Sequence, residues 1–236
     1  MKVLVLQHLD VEHPGVFRDF LREDGAALHT VELDQGEQIP DLEAFDVMMV
    51  MGGPMDVWQE DLFPWLKPEK AAIRRFVADL GRPYLGRCLG HQLLADALGG
   101  RVGPGARPEV GALTISLTEE GRRDPVLAGV PDPLEVLQWH GAEVKALPEG
   151  AVHLARSDVC EFQAFRYGPR AYGMQCHVEA TGTTVADWAA IPEYAQALEA
   201  TLGAGSVDRL GAEVADRLET YTSVARRLYT NFKTLI

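Results

Sequence analysis

The sequence predicts an α/β fold built on a buried sheet, and three observations carry that prediction. Residues 2–7 and 46–51 are nearly unbroken apolar runs, the pattern of strands covered on both faces rather than one. Segments with apolar residues at helical spacing stand between and after such runs, so the β-α-β-β rhythm calls for crossover helices over a parallel sheet. Glycines cluster where these strands end, at positions 52–53 and 86–90, where parallel strands present ligand-binding loops.

Taken in order, residues 2–7 form the first strand. Val16, Phe17, Phe20 and Leu21 give a helical stripe closed near Gly25. Residues 27–33 and 46–51 read as the second and third strands. The Gly52-Gly53-Pro54 loop follows, then Trp58, Phe63 and Trp65, candidates for the wall of a site. Residues 68–80 form a helix with Pro68 in its first turn and Ile73, Phe76, Val77 and Leu80 inward. Pro83 opens a short strand into Cys88, and a helix leaves it, bearing Leu93, Leu94, Ala97 and Leu98 and stopping at Gly99-Gly100.

From 101 to 175 apolar runs shorten and turn signals multiply, Gly103-Pro104-Gly105 the first of them. Residues 110–117, 134–139, 152–155, 162–166 and 171–175 read as strands, several of them antiparallel. Thr183 or Thr184 caps a helix through Trp188 and Ile191, interrupted at Pro192. Residues 206–232 form a long amphipathic segment, either packed on the sheet or open to a partner. The chain reads as a single domain over 1–236 with a helical extension from about 192 to 236.

The whole is organised around Gly86-Arg87-Cys88-Leu89-Gly90. Glycines two residues to either side of a central nucleophile, between a strand and a helix, are the pattern of a nucleophile elbow. The turn is tight enough that flanking side chains would collide while the central one is pushed into a cleft. Cys88 then sits at a helix N-terminus, where free N–H groups and the helix dipole stabilise a thiolate, and the Leu89 N–H points toward a developing oxyanion. Gly52-Gly53, at the end of another parallel strand, is a candidate for the second donor.

Residues 175–179, Gln-Cys-His-Val-Glu, supply the remaining chemistry. His177 and Glu179 are two apart and share a face of an extended chain, so the carboxylate can fix the imidazole tautomer while the other ring nitrogen faces a thiol. Cys88, His177 and Glu179 thus make a candidate triad. A second histidine-bearing loop, residues 137–141, offers His140 as a competing base. His91 reads as an orienting or packing group, and Cys160 and Cys176 as small apolar fillers.

With 236 residues, 47% of them hydrophobic, the chain fits one sizeable domain. A net charge of −13 without a basic run argues against nucleic acid and anionic membrane as partners. No apolar run is long enough for a membrane span or a signal peptide, and three cysteines outside metal-ligand spacing fit a reducing cytoplasm.

Together, Gly-Gly-Pro at 52–54, Gly-Arg-Cys-Leu-Gly-His-Gln at 86–92, Gln-Trp-His-Gly at 138–141, Gln-Ala-Phe at 163–165 and Gln-Cys-His-Val-Glu at 175–179 resemble the class I (triad) glutamine amidotransferases. Stand-alone members similar to the glutaminase domain of GMP synthase are the nearest likeness. The resemblance spans about residues 2–190. It implies a flavodoxin-like three-layer α/β/α sandwich, its sheet mostly parallel with a smaller antiparallel region, and hydrolysis of the glutamine amide through a γ-glutamyl thioester. It makes Cys88 the nucleophile, His177 the base and acid and Glu179 its orienter. It also makes Gly53 and Leu89 the oxyanion-hole donors, and Gly52, Gln92, Trp139, His140 and Gly141 substrate-binding residues. No metal or organic cofactor is implied.

The chain departs from the family pattern at Arg87 before the cysteine, at Cys176 and Val178 in the histidine motif, at Ala142 in place of an acid, and at Ala112-Leu113 in place of an aromatic residue. Two alternatives stand beside the glutaminase: a γ-glutamyl peptide or γ-glutamyl amine hydrolase with the same triad, and a catalytically idle binding or thiol redox-sensing module. A synthetase that accepts the ammonia, and a second copy of the chain, are the partners considered beside the small-molecule substrate.

Overall fold

The computed structural model describes residues 1–236. Its nine strands are β1 (Lys2–Gln7), β2 (Ala27–Glu32), β3 (Val47–Val50), β4 (Tyr84–Arg87), β5 (Arg101–Leu117), β6 (Leu134–Ala146), β7 (Val152–Arg156), β8 (Ala164–Tyr167) and β9 (Ala171–Met174). They form one sheet in the order β2-β1-β3-β4-β9-β8-β7-β5-β6. The first five in that order pair in parallel, and the other four continue the sheet antiparallel. This is the expected flavodoxin-like α/β architecture with an antiparallel flank.

The central strands explain the layers. Along β1, Val3 and Val5 face one core and Leu4 and Leu6 the other, and all four are fully buried. The first core is closed by α1 (Phe17–Glu23) and α7 (Ser206–Lys233), through Phe17, Phe20, Leu228 and Phe232. The second is closed by α2 (Leu66–Arg74) and α3 (Leu89–Ala97), through Ile73, Leu93 and Leu94. A third cluster gathers Trp139, Trp188, Tyr194, Leu210 and Tyr221 where α5 (Thr184–Ala189), α6 (Pro192–Leu202) and α7 meet β6. The short α4 (Glu119–Arg123) links the antiparallel strands. The Thr118 hydroxyl accepts from the Gly121 N–H at 2.9 Å and so caps it. No helix is long and apolar enough to cross a membrane.

Four expectations need correction. The helix expected over 68–80 starts at Leu66, and its last turn, Arg75–Asp79, is widened, with Leu80 N–H donating five residues back to Arg75 O. The strand expected from 110 begins at Arg101. The Gly-Pro-Gly at 103–105 is not a turn but the start of an irregularity: pairing jumps from Pro104↔Ala142 to Glu109↔His140, five residues against two. Residues 137–141 are not a loop but the middle of β6: Leu137 to His140 pair with Ala112 to Glu109 of β5, and Gly141 faces the irregularity. Pro192 does not interrupt a helix. It opens a separate one at the first helical position, where its missing N–H costs nothing.

Candidate active site

β4 delivers Cys88 and α3 leaves from it. Cys88 has φ +48° and ψ −105°, and it is the only non-glycine residue with positive φ. The strain is held by neighbours on both sides: Cys88 N–H donates to Met174 O at 3.0 Å, and Gly90 N–H donates to Met51 O at 3.1 Å. The elbow glycines are a steric requirement. A Cβ on Gly86 would lie 2.5 Å from Gly90 O, and one on Gly90 would lie 2.1 Å from Val50 O. The turn fits between β3 and β9 only without those side chains.

His177 arrives from beyond β9. Its own N–H and C=O both pair with Leu137 at 2.9 Å, tying it to β6. Nδ1 donates to Glu179 Oε1 at 2.6 Å, while Glu179 Oε2 accepts the Val178 N–H at 3.0 Å. Burial works to lower the His177 pKa, but the Glu179 charge and hydrogen bonds to Cys88 and Glu179 outweigh it and push it up to about 10. Burial likewise opposes ionisation of Glu179, and the His177 and Arg87 charges overcome it, holding the carboxyl well below its usual range. The edge of His177 meets Trp188 with ring centroids 4.7 Å apart, and Trp188 Nε1–H donates to Val11 O at 3.2 Å. Gln175 Nε2 donates to Cys88 Sγ at 3.5 Å.

Beside Cys88 opens a cavity of about 290 Å³. Gly53, Leu89, Gln92, Trp139, His140 and Gly141 line it, whereas Gly52 stands behind its wall. The Gly53 N–H has no hydrogen-bond partner within the chain, and the Leu89 N–H, first in α3, has none within its helix. Gln92 Nε2 donates to Ala142 O and Gln175 Oε1, both at 3.0 Å. This arrangement can deprotonate a thiol, direct it at a carbonyl carbon in the cavity and stabilise the resulting oxyanion.

Other candidates fall away from the centre. The ring nitrogens of His140 meet Ala142 O at 3.0 Å and Glu109 Oε2 at 3.2 Å, not Cys88. His91 is fully buried against Phe165, its pKa pushed down to about 3 by burial, and it packs as expected. Trp58 lines the cavity, but Phe63 and Trp65 pack on the core. Glu109, His140 and Cys160 hold one potential metal-ligand atom each within 4.8 Å of one another, but Gln163 Nε2 already donates to Glu109 Oε2 at 2.7 Å. That Glu109 oxygen is therefore already engaged by an amide donor.

The family model for class I glutamine amidotransferases matches residues 16–187. The chain belongs to that family. It is similar to a glutamine amidotransferase-like protein, YfeJ, of Salmonella typhimurium, at 33% identity over 77% of each chain. It is also 41% identical to the glutamine-hydrolyzing GMP synthase subunit of Methanosarcina acetivorans, over 48% of this chain and 58% of that one. Among solved structures, a Thermotoga maritima glutamine amidotransferase superposes with a TM-score of 0.86 at 28% identity, covering 98% of this chain and 97% of that one. One from Methylobacillus flagellatus gives 0.88 at 28% identity, covering 100% and 95%.

Within this class I amidotransferase, Arg87 turns away from the cavity. It is fully buried, with Nε 3.7 Å from Glu179 Oε2 and its guanidinium over Phe17 at 5.1 Å. Several residues at the centre carry no motif in the sequence. The Tyr194 hydroxyl, from α6, donates to buried Glu12, whose carboxylate packs against Gly52. His8 and Glu69 pair behind the same glycine. The one available signal for His8 is a polar residue directly past the C-terminal end of a central parallel strand.

Proposed function

We propose that this class I amidotransferase hydrolyses the side-chain amide of glutamine through a γ-glutamyl thioester on Cys88. The observation that carries the reading is the convergence on one thiol: the strained Cys88 lines a cavity together with the free Gly53 N–H and the Leu89 N–H at the start of α3, and the His177–Glu179 pair approaches the same thiol from outside that cavity. His177 takes the thiol proton and the sulfur attacks the amide carbon. The Gly53 and Leu89 N–H groups hold the oxyanion, and His177 passes its proton to the leaving nitrogen, which departs as ammonia. Water, deprotonated by His177, then opens the thioester to release glutamate. Gln92, Trp139, His140 and Gly141 line the substrate's path, with Gly52 supporting the oxyanion loop. Residues 1–236 act as one unit, its C-terminal helices walling the site through Trp188 and Tyr194, and the protein works in the cytoplasm. The ammonia goes to an acceptor enzyme, in keeping with the likeness to a GMP synthase subunit.

One observation favours a second reading. The cavity is lined by Asp56 and Glu193 and by no lysine or arginine. Acidic lining suits a substrate carrying extra positive charge, such as a γ-glutamyl amine whose amine part keeps a second, free ammonium, and its cleavage uses the same thioester. The deciding experiment incubates purified protein with L-glutamine, a γ-glutamyl peptide or a γ-glutamyl diamine, and follows glutamate release and acyl-Cys88 by peptide mass spectrometry. Glutamine turnover that Cys88→Ala abolishes is the expected result. Turnover only of the γ-glutamyl amine or peptide selects the second reading. Absence of any Cys88 adduct refutes both and favours the idle or redox-sensing module.

A further inference from the structure

Directly past β1, His8 is fully buried and does not line the cavity. Its Nδ1 lies 2.7 Å from Gly52 O, and its Nε2 lies 2.9 Å from Glu69 Oε1 on α2. A carbonyl oxygen only accepts, so Nδ1 carries a proton and donates. Burial pulls the His8 pKa down, but the Glu69 charge and the hydrogen bonds to Glu69 and Gly52 raise it above its ordinary value. Nδ1 faces a carbonyl oxygen and Nε2 a carboxylate oxygen, so both ring nitrogens are placed to donate and the surroundings favour the protonated ring. Trp65 stacks on it at 5.3 Å between centroids, with planes 19° apart. Glu69 is equally buried, and its Oε2 has no partner, so its carboxylate is directed at His8 alone.

The Gly52 C=O and the Gly53 N–H belong to one trans peptide and point in opposite directions. Holding the oxygen toward His8 turns the N–H away from it, and the N–H is left without an intrachain partner in the cavity wall. A cation on the carbonyl oxygen also draws charge from the amide nitrogen and strengthens its N–H as a donor. The Glu12 carboxylate packs against the other side of the same unit: a Cβ on Gly52 would fall 2.3 Å from its Oε2. A buried ion pair is weak evidence of a stability role, because desolvation offsets much of its attraction. A pair placed on this one peptide has a different use.

We infer that the buried His8–Glu69 pair is a positioning device for the oxyanion hole, fixing the direction and donor strength of the Gly53 N–H. The inference rests on the proposed thioester chemistry. Loss of a whole oxyanion donor costs about 10²–10³ in kcat. Here the donor stays but is loosened and depolarised, so Glu69→Gln and His8→Leu are expected to lower kcat about 10- to 100-fold, with KM changed less than about threefold. His8→Asn, which keeps a neutral donor near Gly52 O, is expected to recover part of the loss.

The discriminating readout is alkylation of Cys88 by iodoacetamide, a displacement at carbon that forms no oxyanion. It is expected to stay within about twofold of wild type while acylation by substrate slows. Wild-type kcat in both Glu69→Gln and His8→Leu overturns the inference. So does an alkylation rate that falls in step with kcat, which marks a general loss of structure. Where His8→Leu fails to fold, Glu69→Gln and His8→Asn decide on the same criteria. A wild-type protein with no Cys88-dependent turnover of any γ-glutamyl amide refutes the proposed function itself, and is recognised before any variant is compared.

Discussion

Replacing Glu179 by glutamine keeps its size and removes its charge, and the site leaves the new amide no good orientation. Glu179 accepts on both oxygens, from His177 Nδ1–H at 2.6 Å and from the Val178 N–H at 3.0 Å, with Arg87 3.7 Å away. If the amide oxygen faces His177, the NH2 group confronts the Val178 N–H and the guanidinium. If it is turned over, the NH2 donates to Nδ1, the ring proton moves to Nε2, and His177 cannot accept the thiol proton. The lost charge adds to this. Without it the imidazolium loses the largest of the influences that raise the His177 pKa against burial. The wrong tautomer alone is expected to lower kcat by up to about 10⁴-fold. The assay is glutamate release under saturating substrate, with the Cys88 alkylation rate followed against pH. Substrate binding should hold, since Glu179 does not line the cavity. A kcat within about threefold of wild type, with an unshifted alkylation profile, refutes the role given to Glu179.

The same geometry carries three further predictions. Gly90→Ala forces a methyl to 2.1 Å from Val50 O, so it should cost about 3 kcal/mol or more; an unchanged urea midpoint would contradict the elbow packing. Tyr194→Phe leaves buried Glu12 without its hydroxyl donor and should cost about 1–3 kcal/mol, and a double-mutant cycle with Glu12→Gln that shows no coupling would refute the contact. The Tm difference between wild type and Glu179→Gln should depend on pH. The raised His177 contributes fully below its unfolded value of 6.5 and loses that contribution as pH climbs toward about 10, whereas the lowered Glu179 contributes above 4.5 and loses it toward about 2. The difference should therefore be largest at about pH 4.5–6.5 and shrink on both sides; a flat difference would refute the ion pair.

Local rules reach far in this chain because its signals are local. Runs of apolar residues mark β1 and β3, and helical stripes mark α1, α3 and α7, since burial on one or two faces writes itself directly into residue spacing. The elbow is legible for the same reason: Gly86 and Gly90 are demanded by contacts within four residues or with the adjoining strand. His177 and Glu179 are legible because they are two apart and bond each other. The turn expected at residues 103–105 fails through non-local pairing: β6 holds Gly-Pro-Gly in a long irregular strand that its own propensities oppose.

Spacing along the chain is enough to set the α/β class, the order of the central elements, and which cysteine, histidine and carboxylate the proposed chemistry uses. What surrounds those three residues comes from tertiary packing. It turned Arg87 back onto Glu179, brought Trp188 against His177 and Tyr194 against Glu12, and set the His8–Glu69 pair behind Gly52. His8 and Glu69 are 61 residues apart, and Glu12 and Tyr194 are 182 apart. Contacts closed over such distances leave no periodicity to read, because they depend on how helices and sheet pack rather than on any local pattern.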